Sequence, residues 1–397
     1  MIIIRKRAHA RGALLGNPSD GYQGRTLSVI VRNFSAEVVL YEWDSLDIVL
    51  SANDRAHFRS IHDLARDVEL HGYYGGIRLI KATIKRFVEY CQAQKLALHD
   101  RNFSIRYQTS IPQQVGLAGS SAIIVATLRC LMEFYNISIP REAQPSFVLS
   151  VERDKLGIMG GLQDRVIQVY EGVVYMDFSP ALERVVDGLK SYQYEPLSPA
   201  LLPPLYLAYH DSLSEPTEIF HNDIRGRFDR GDPEVIGAMQ KLAELTRQGR
   251  EALLARDYAR LHRLVNENFD VRHSIYRLPR WQVRMVEVAR ECGASANFAG
   301  SGGAIIGTYE GEAMFQELSR RLAAISSSQT VTAAETEPSS WAHCRSAGSR
   351  SCENSWSRAA PSVRAFDRAS SYSALRRGFA GSPRTASSFF SRERTVS

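Results

Sequence analysis

The sequence predicts an α+β fold in two domains, followed by a tail that joins neither. Three observations carry that expectation. Strand-like and helix-like segments mix without strict β-α-β alternation, two long helical segments open the second half at 233–255 and 257–276, and the regular patterning stops near residue 325. At 397 residues, 44% apolar and 23% charged, the chain has the composition of a globular protein and room for more than one core.

The first half is built as follows. Ile2–Ile4 begins a short strand that runs into a Gly-rich turn region at 12–24. Residues 26–42 are β-branched and aromatic with alternation and read as two strands. Ile77, Ile80, Ile84, Phe87 and Val88 fall at helical spacing and predict a helix over 76–94. A strand follows at 102–109, then helices at 120–135 and about 144–156, then strand-like segments at 166–178 and 204–210. The stretch 180–203 has prolines and few periodic apolar residues, which places the domain boundary there, with domains over 1–200 and 201–325.

In the second half, Val235, Ile236, Met239, Leu242, Leu245 and Leu253 mark the first long helix. A helix at 282–292, a strand–Gly turn–strand at 295–309 and a helix at 310–324 complete it. Beyond 325, serine makes up 19 of the last 72 residues and apolar periodicity disappears, so residues 326–397 are expected to be disordered.

Charge and cysteine usage exclude some functions. Of the net charge of +6, +5 belongs to 326–397 and only +1 to the remainder, so the body of the protein carries no general basic character and no nucleic-acid partner is expected. The five cysteines (Cys91, Cys130, Cys292, Cys344, Cys352) show no metal-type spacing, and no apolar run approaches the length of a membrane span. A reduced, cytoplasmic setting with no membrane partner is the expectation.

Four segments carry chemistry. Pro112-Gln-Gln-Val-Gly116-Leu-Ala-Gly119-Ser120-Ser121-Ala122 lies between a strand and an apolar helix. A glycine-rich turn at a helix start gathers free N–H groups into an anion site, although an N-capped helix after a tight turn explains it equally. Glu152 and Asp164 flank the loop Gly160-Gly161; two such carboxylates can divide metal binding from activation of a hydroxyl, or be a solvated helix residue and a surface ion pair with Arg165. Asn297-Phe-Ala-Gly300-Ser301-Gly302-Gly303-Ala304 allows another close backbone approach, or is a hairpin turn. Residues 7–25 gather Arg11, Asn17, Ser19, Asp20, Tyr22 and Arg25, a set suited to a polyhydroxylated ligand or to an ordinary polar loop.

In this order and context the four segments resemble the GHMP kinase superfamily, which includes galactokinases and mevalonate kinases. Strings such as LLGNPSDGYQGRT, GYYGGIRL, GLAGSSAII and GLQDRVIQVYEGVVYMDF are similar to its glucuronokinase branch, over residues 7–325. The resemblance implies an N-terminal domain like domain 2 of ribosomal protein S5 and a ferredoxin-like C-terminal domain. It implies an ATP-dependent sugar 1-kinase acting on D-glucuronic acid, whose product feeds UDP-glucuronate, with Mg²⁺ as the cofactor and a sugar acid and ATP as partners. Gly116, Leu117, Ala118, Gly119, Ser120, Ser121 and Ala122, with Ile123, Ile124, Val125 and Ala126, would wrap the triphosphate, together with Gly300, Ser301, Gly302 and Gly303. Ser121 (or Ser120) and Glu152 would hold the metal. Asp164 would act as base with Arg11 beside it. Asn17, Ser19, Asp20, Tyr22, Arg25 and Arg165 would contact the sugar, Arg25 or Arg165 pairing its carboxylate.

Two departures matter. Asn17-Pro18 replaces the Glu-His of galactokinases, which removes an acid beside the sugar and suits a uronic acid. The Ser/Arg-rich tail stands where the family's C-terminal domain has a last strand, so an edge strand is expected to be missing. The alternatives are another GHMP kinase, galactokinase-like, and a noncatalytic sugar and ATP sensor.

Overall fold

The computed structural model describes residues 1–49, 75–210, 218–325 and 329–336. The chain divides into two units, Met1–Ser346 and Ala347–Ser397, and all described residues belong to the first. The expectation of disorder over 337–397, the pair Cys344/Cys352 and residues 72–74 of the GYYGGIRL string lie outside the described residues.

The first sheet is built around one long strand. β1 (Ile3–Leu15) and β2 (Arg25–Trp43) pair antiparallel along their whole length, from Ile3 opposite Tyr41 to Leu15 opposite Leu27. β3 (Asp47–Val49), β4 (Asn102–Thr109) and β5 (Val173–Asp177) follow, then a small hairpin of β6 (Arg184–Val186) and β7 (Leu189–Ser191), then β8 (Gln193–Leu197). The order β3-β4-β2-β5-β8 arises because β2 uses its second edge twice: Arg25–Val29 pair with β5 and Ala36–Trp43 with β4.

The expectation of two strands over 26–42 is therefore corrected to one. The apolar pattern does break at Arg32–Ser35, which are half-buried, and the β1 register slips opposite, between His9 and Ala10. The backbone nevertheless continues, because Arg32 N–H finds the Glu335 carbonyl at 2.7 Å instead of ending the strand. The strand expected over 166–178 is also split. Gln163–Tyr170 is a helix, Glu171 and Gly172 turn with φ of 57° and 69°, and β5 begins at Val173. Val166, Ile167 and Val169 are buried on that helix, and their packing outweighs their β propensity. The 180–203 stretch is not featureless, since it holds β6, β7 and β8.

The second sheet has the order β10-β11-β9-β12, with β9 (Leu205–His210), β10 (Asn297–Phe298), β11 (Ala304–Thr308) and β12 (Gln329–Ala333), every pair antiparallel. β12 corrects two expectations: the segment just after 325 is not wholly disordered, and the last strand of the sheet is present. Its sequence QTVTA is rich in β-branched residues, and it covers the free edge of β9 from His210 to Tyr206.

Strand alternation divides β9 between two cores. Leu205, Leu207 and Tyr209 face a core shared with β1, β2 and the helix Gly119–Tyr135, while Tyr206 and Ala208 face a second core with Phe269, Met285 and Phe298. The helices Pro233–Ala255 and Tyr258–Ile275 contribute Leu245, Leu253, Leu261 and Leu264 to the shared core. That continuity holds β1, the 116–119 turn and the 299–303 turn in one place. Among the described residues no helix is long and apolar enough to cross a membrane.

Candidate active site

The site is organised by Arg11, near the end of β1. Its side chain is 5% exposed. Nε donates to Asp164 Oδ1 at 2.6 Å, and Nη1 donates to the carbonyls of Gly116 and Ala299, each at 2.6 Å. One guanidinium thus joins the start of the helix Gln163–Tyr170 to both glycine-rich turns. Burial pushes the Asp164 carboxyl up, but the charges of Arg11 and Arg165 outweigh it and hold the group below the usual carboxylate range. Asp164 is therefore ionised at neutral pH.

The two turns press against each other. Gln114, Gly116 and Ala118 are left-handed, with φ of 58°, 71° and 62°, an alternation that curls successive N–H groups toward one side. The first intrahelical bond beyond them is Ala122 N–H to Ala118 O at 3.2 Å, so the N–H groups of Gly119, Ser120 and Ser121 precede the helix ladder. Gln168 Nε2 bonds Ala118 O (2.8 Å) and His9 O (3.2 Å), which ties the turn to β1. A Cβ on Gly300 would collide with the Gly116 carbonyl and the Arg11 guanidinium, and this close approach explains glycine there.

The structure sorts the residues expected to bind phosphate. Gly116 and Gly119–Ser121 lie at the turn with Gly300–Gly303 against it. Leu117, Ala122, Ile123, Ile124, Val125 and Ala126 are buried in the shared core, so these side chains pack the helix and do not face a ligand. Ser121 is buried, and its Oγ donates to Ala118 O at 3.2 Å. Ser120 Oγ donates to Glu152 Oε1 at 2.6 Å.

Glu152 is fully buried on a turn of π-helix, Val151–Lys155, which excludes a solvated helix residue. Its Oε2 accepts from Arg165 Nε at 2.7 Å and also from Nη2. Arg165 further donates to Gly161 O at 2.8 Å and approaches Asp164 Oδ2 at 3.4 Å. Its guanidinium is spent inside the protein, which corrects its assignment to the sugar carboxylate. Arg25 pairs with Asp177 Oδ2 at 2.5 Å on the β2–β5 edge, so the structure does not bring it to Asp164.

The 17–22 segment divides likewise. Ser19 is buried and closes the local turn, its Oγ donating to Arg25 O (2.9 Å) and accepting from Arg25 N–H (3.2 Å), so it is corrected from ligand contact to turn closure. Asn17 Nδ2 donates to Gly300 O at 2.7 Å and joins the segment to the second glycine turn. Tyr22 packs on Phe228 with ring centroids 4.7 Å apart. Asp20 is the member that reaches the centre: its Oδ2 accepts from Gln163 N–H at 3.2 Å, next to Asp164, and a Cβ on Gly161 would collide with it.

Burial, then the neighbouring Asp164 charge, raises the Asp20 pKa to about 6. An acid whose pKa rises on folding gives up its proton more readily in the unfolded chain, so its cost is absent below about pH 4, develops between about pH 4 and 6, and is complete above that. Asp20→Asn is therefore expected to raise the melting temperature at pH 7 by about 2–4 °C, or ~1 kcal/mol after allowance for partial exposure. The difference should vanish at pH 4; a variant that melts lower at pH 7 contradicts this.

Sequence reasoning missed Arg272, Asn268 and Gln168. Asn268 Oδ1 accepts from Gly16 N–H at 2.7 Å, and Arg272 holds the second glycine turn. Both lie on the buried face of their helix with Phe269 and Ile275, and polar residues at core spacing were the available signal.

A fold of two α+β halves that sets two amide-rich turns around an arginine and a carboxylate is the kind of site that suits phosphoryl transfer to a small molecule. Residues 78–172 match the model of the GHMP kinases N terminal domain, and residues 250–324 that of the GHMP kinases C terminal domain. The chain belongs to the GHMP kinase family and is an ATP-dependent kinase. It is 43% identical over 309 residues to Glucuronokinase 1 of Arabidopsis thaliana, covering 76% of this chain and 84% of that protein. It is 44% identical over 312 residues to Probable glucuronokinase 2 of the same plant, covering 77% and 84%. The fold is similar to that of Lactococcus lactis galactokinase complexed with galactose, at TM-score 0.64 and 15% identity, covering 84% of this chain and 93% of that one.

Proposed function

We propose that the chain transfers the γ-phosphate of ATP to the anomeric hydroxyl of D-glucuronic acid, giving glucuronic acid 1-phosphate and ADP. The observation that carries this reading is the triple engagement of Arg11 with Asp164, Gly116 and Ala299, which sets a carboxylate beside both turns. The identity of 43–44% to the two Arabidopsis proteins directs it to this sugar acid.

The N–H groups of Gly119–Ser121 and of the 300–303 turn hold the triphosphate, near the positive end of the helix Gly119–Tyr135. The sugar O1 forms its bond to the γ-phosphorus as the bond to the bridging oxygen of ADP breaks. The O1 proton passes to Asp164 Oδ2, since Oδ1 is held by Arg11 and Oδ2 only loosely by Arg165. Arg11 stabilises the charge on the transferring group, and Asp20 orients sugar hydroxyls.

Mg²⁺ fits the Ser120 hydroxyl and Glu152 carboxylate, both hard oxygen donors, and would neutralise phosphate charge there. Among the described residues no group of three or more His, Cys, Asp or Glu could hold a metal, which suits an ion that takes most of its ligands from nucleotide and water. Arg165 acts through Glu152 and is a positioning residue. The buried free thiols Cys91 and Cys130 suit a reducing, cytoplasmic setting.

A substrate panel tests the assignment. ADP release with Mg-ATP is expected with glucuronate and at background with galactose and mevalonate. Fastest turnover of galactose would move the chain to a galactokinase-like role, and ADP release with none of these sugars or acids would overturn the reading.

A further inference from the structure

Arg272, on the helix Tyr258–Ile275, is 1% exposed and has no carboxylate within ion-pair distance among the described residues. Burial lowers its pKa, and the nearby Arg11 charge acts in the same direction. A buried cation is costly unless something compensates it. Here the compensation is two backbone carbonyls and two ring faces. Nη1 donates to Gly300 O and Nη2 to Ser301 O, each at 2.7 Å, and the guanidinium lies 5.0 Å from the Phe298 ring centroid and 5.3 Å from that of Tyr276. The second lone pair of Gly300 O takes Asn17 Nδ2, also at 2.7 Å.

The direction of these bonds has a consequence for the turn. A trans peptide is planar, with its N–H opposed to its C=O. Two successive carbonyls drawn to one guanidinium therefore turn two successive N–H groups, those of Ser301 and Gly302, to the other side. That other side is the first glycine turn: the Ser301 nitrogen would lie 2.8 Å from a Cβ built on Gly116. A planar fork is needed to hold both carbonyls at once, and a lysine ammonium reaches them only as a point charge.

We propose that Arg272 is a positioning residue for the nucleotide, aiming the backbone amides of the second glycine turn at its phosphates with its buried positive charge behind them. The inference rests on the assignment of the 116–121 turn to the triphosphate. It sets a division of labour: Arg11 joins the turns to the base, whereas Arg272 acts on nucleotide affinity alone.

Two measurements on the full chain test it. Arg272→Lys is expected to raise the KM for Mg-ATP about tenfold or more, as for loss of a charge-assisted hydrogen bond, while kcat and the sugar KM stay near wild type. A purely structural arginine would not produce that split. Should the variant fail to fold, hydrogen exchange on the wild-type chain decides: Mg-ATP is expected to protect peptides covering 300–303 as well as 116–121. A wild-type KM for ATP in Arg272→Lys, an equal rise in the sugar KM, or protection at 116–121 without protection at 300–303 overturns the proposal and leaves the first turn's role intact. Protection at neither turn overturns both.

Discussion

Asp164→Asn is expected to lower kcat by about 10²-fold or more while Mg-ATP still binds. Asparagine has nearly the same shape, and its Oδ1 can still accept from Arg11 Nε, so the link between β1, the base position and both turns survives. What is lost is the proton acceptor on the other oxygen. The arginines beside it make Asp164 a weak base in the ground state, so in the proposed reaction the proton is expected to move late, once bonding to phosphorus has acidified the sugar hydroxyl. Calorimetry with Mg-ATP and steady-state rates on the same preparation separate the two effects. Wild-type turnover in the variant removes Asp164 from the role of base.

Ending the chain at residue 325 is expected to lower the melting temperature by about 10 °C or more and to promote aggregation, whereas a chain ending at 336 should melt as the full chain does. The difference is β12. Its five residues, Gln329–Ala333, pair with β9, which would otherwise present an open edge. Ala334 N–H bonds Leu205 O on β9 at 2.8 Å, and the same segment then continues to the first sheet, where Arg32 N–H bonds Glu335 O at 2.7 Å and Glu335 N–H bonds Asn33 Oδ1 at 2.9 Å. At ~1 kcal/mol net for each such bond, the sum is a large part of a typical domain's stability. Equal melting of the 325 and 336 forms contradicts this.

The elements of chemistry written contiguously were the legible ones. The 112–122 string announced a turn before a helix, and the motifs singled out Asp164 and Arg11, which the structure pairs. The use made of each side chain was not legible, because it depends on partners far away in the chain. Glu152 reads as a surface residue until Arg165 and Ser120 are seen on its two oxygens. Ser120 and Ser121 are neighbours in sequence, and only the helix geometry turns one to Glu152 and the other back to Ala118. Arg25 and Arg165 looked available because sequence does not show Asp177 or Glu152 beside them. β12 was hidden by averaging: a five-residue run with three β-branched members disappears in a tail where serine dominates. The helix Glu218–Asp229 was also missed, since its sequence lacks a clear apolar stripe.

The most direct test is a phosphorus NMR spectrum of the full chain with Mg-ATP and D-glucuronate. Growth of a sugar phosphate resonance coupled to the anomeric proton, in step with ADP, is the predicted result. ADP without that resonance, or a phosphate on any other position of the sugar, would contradict transfer to the anomeric oxygen.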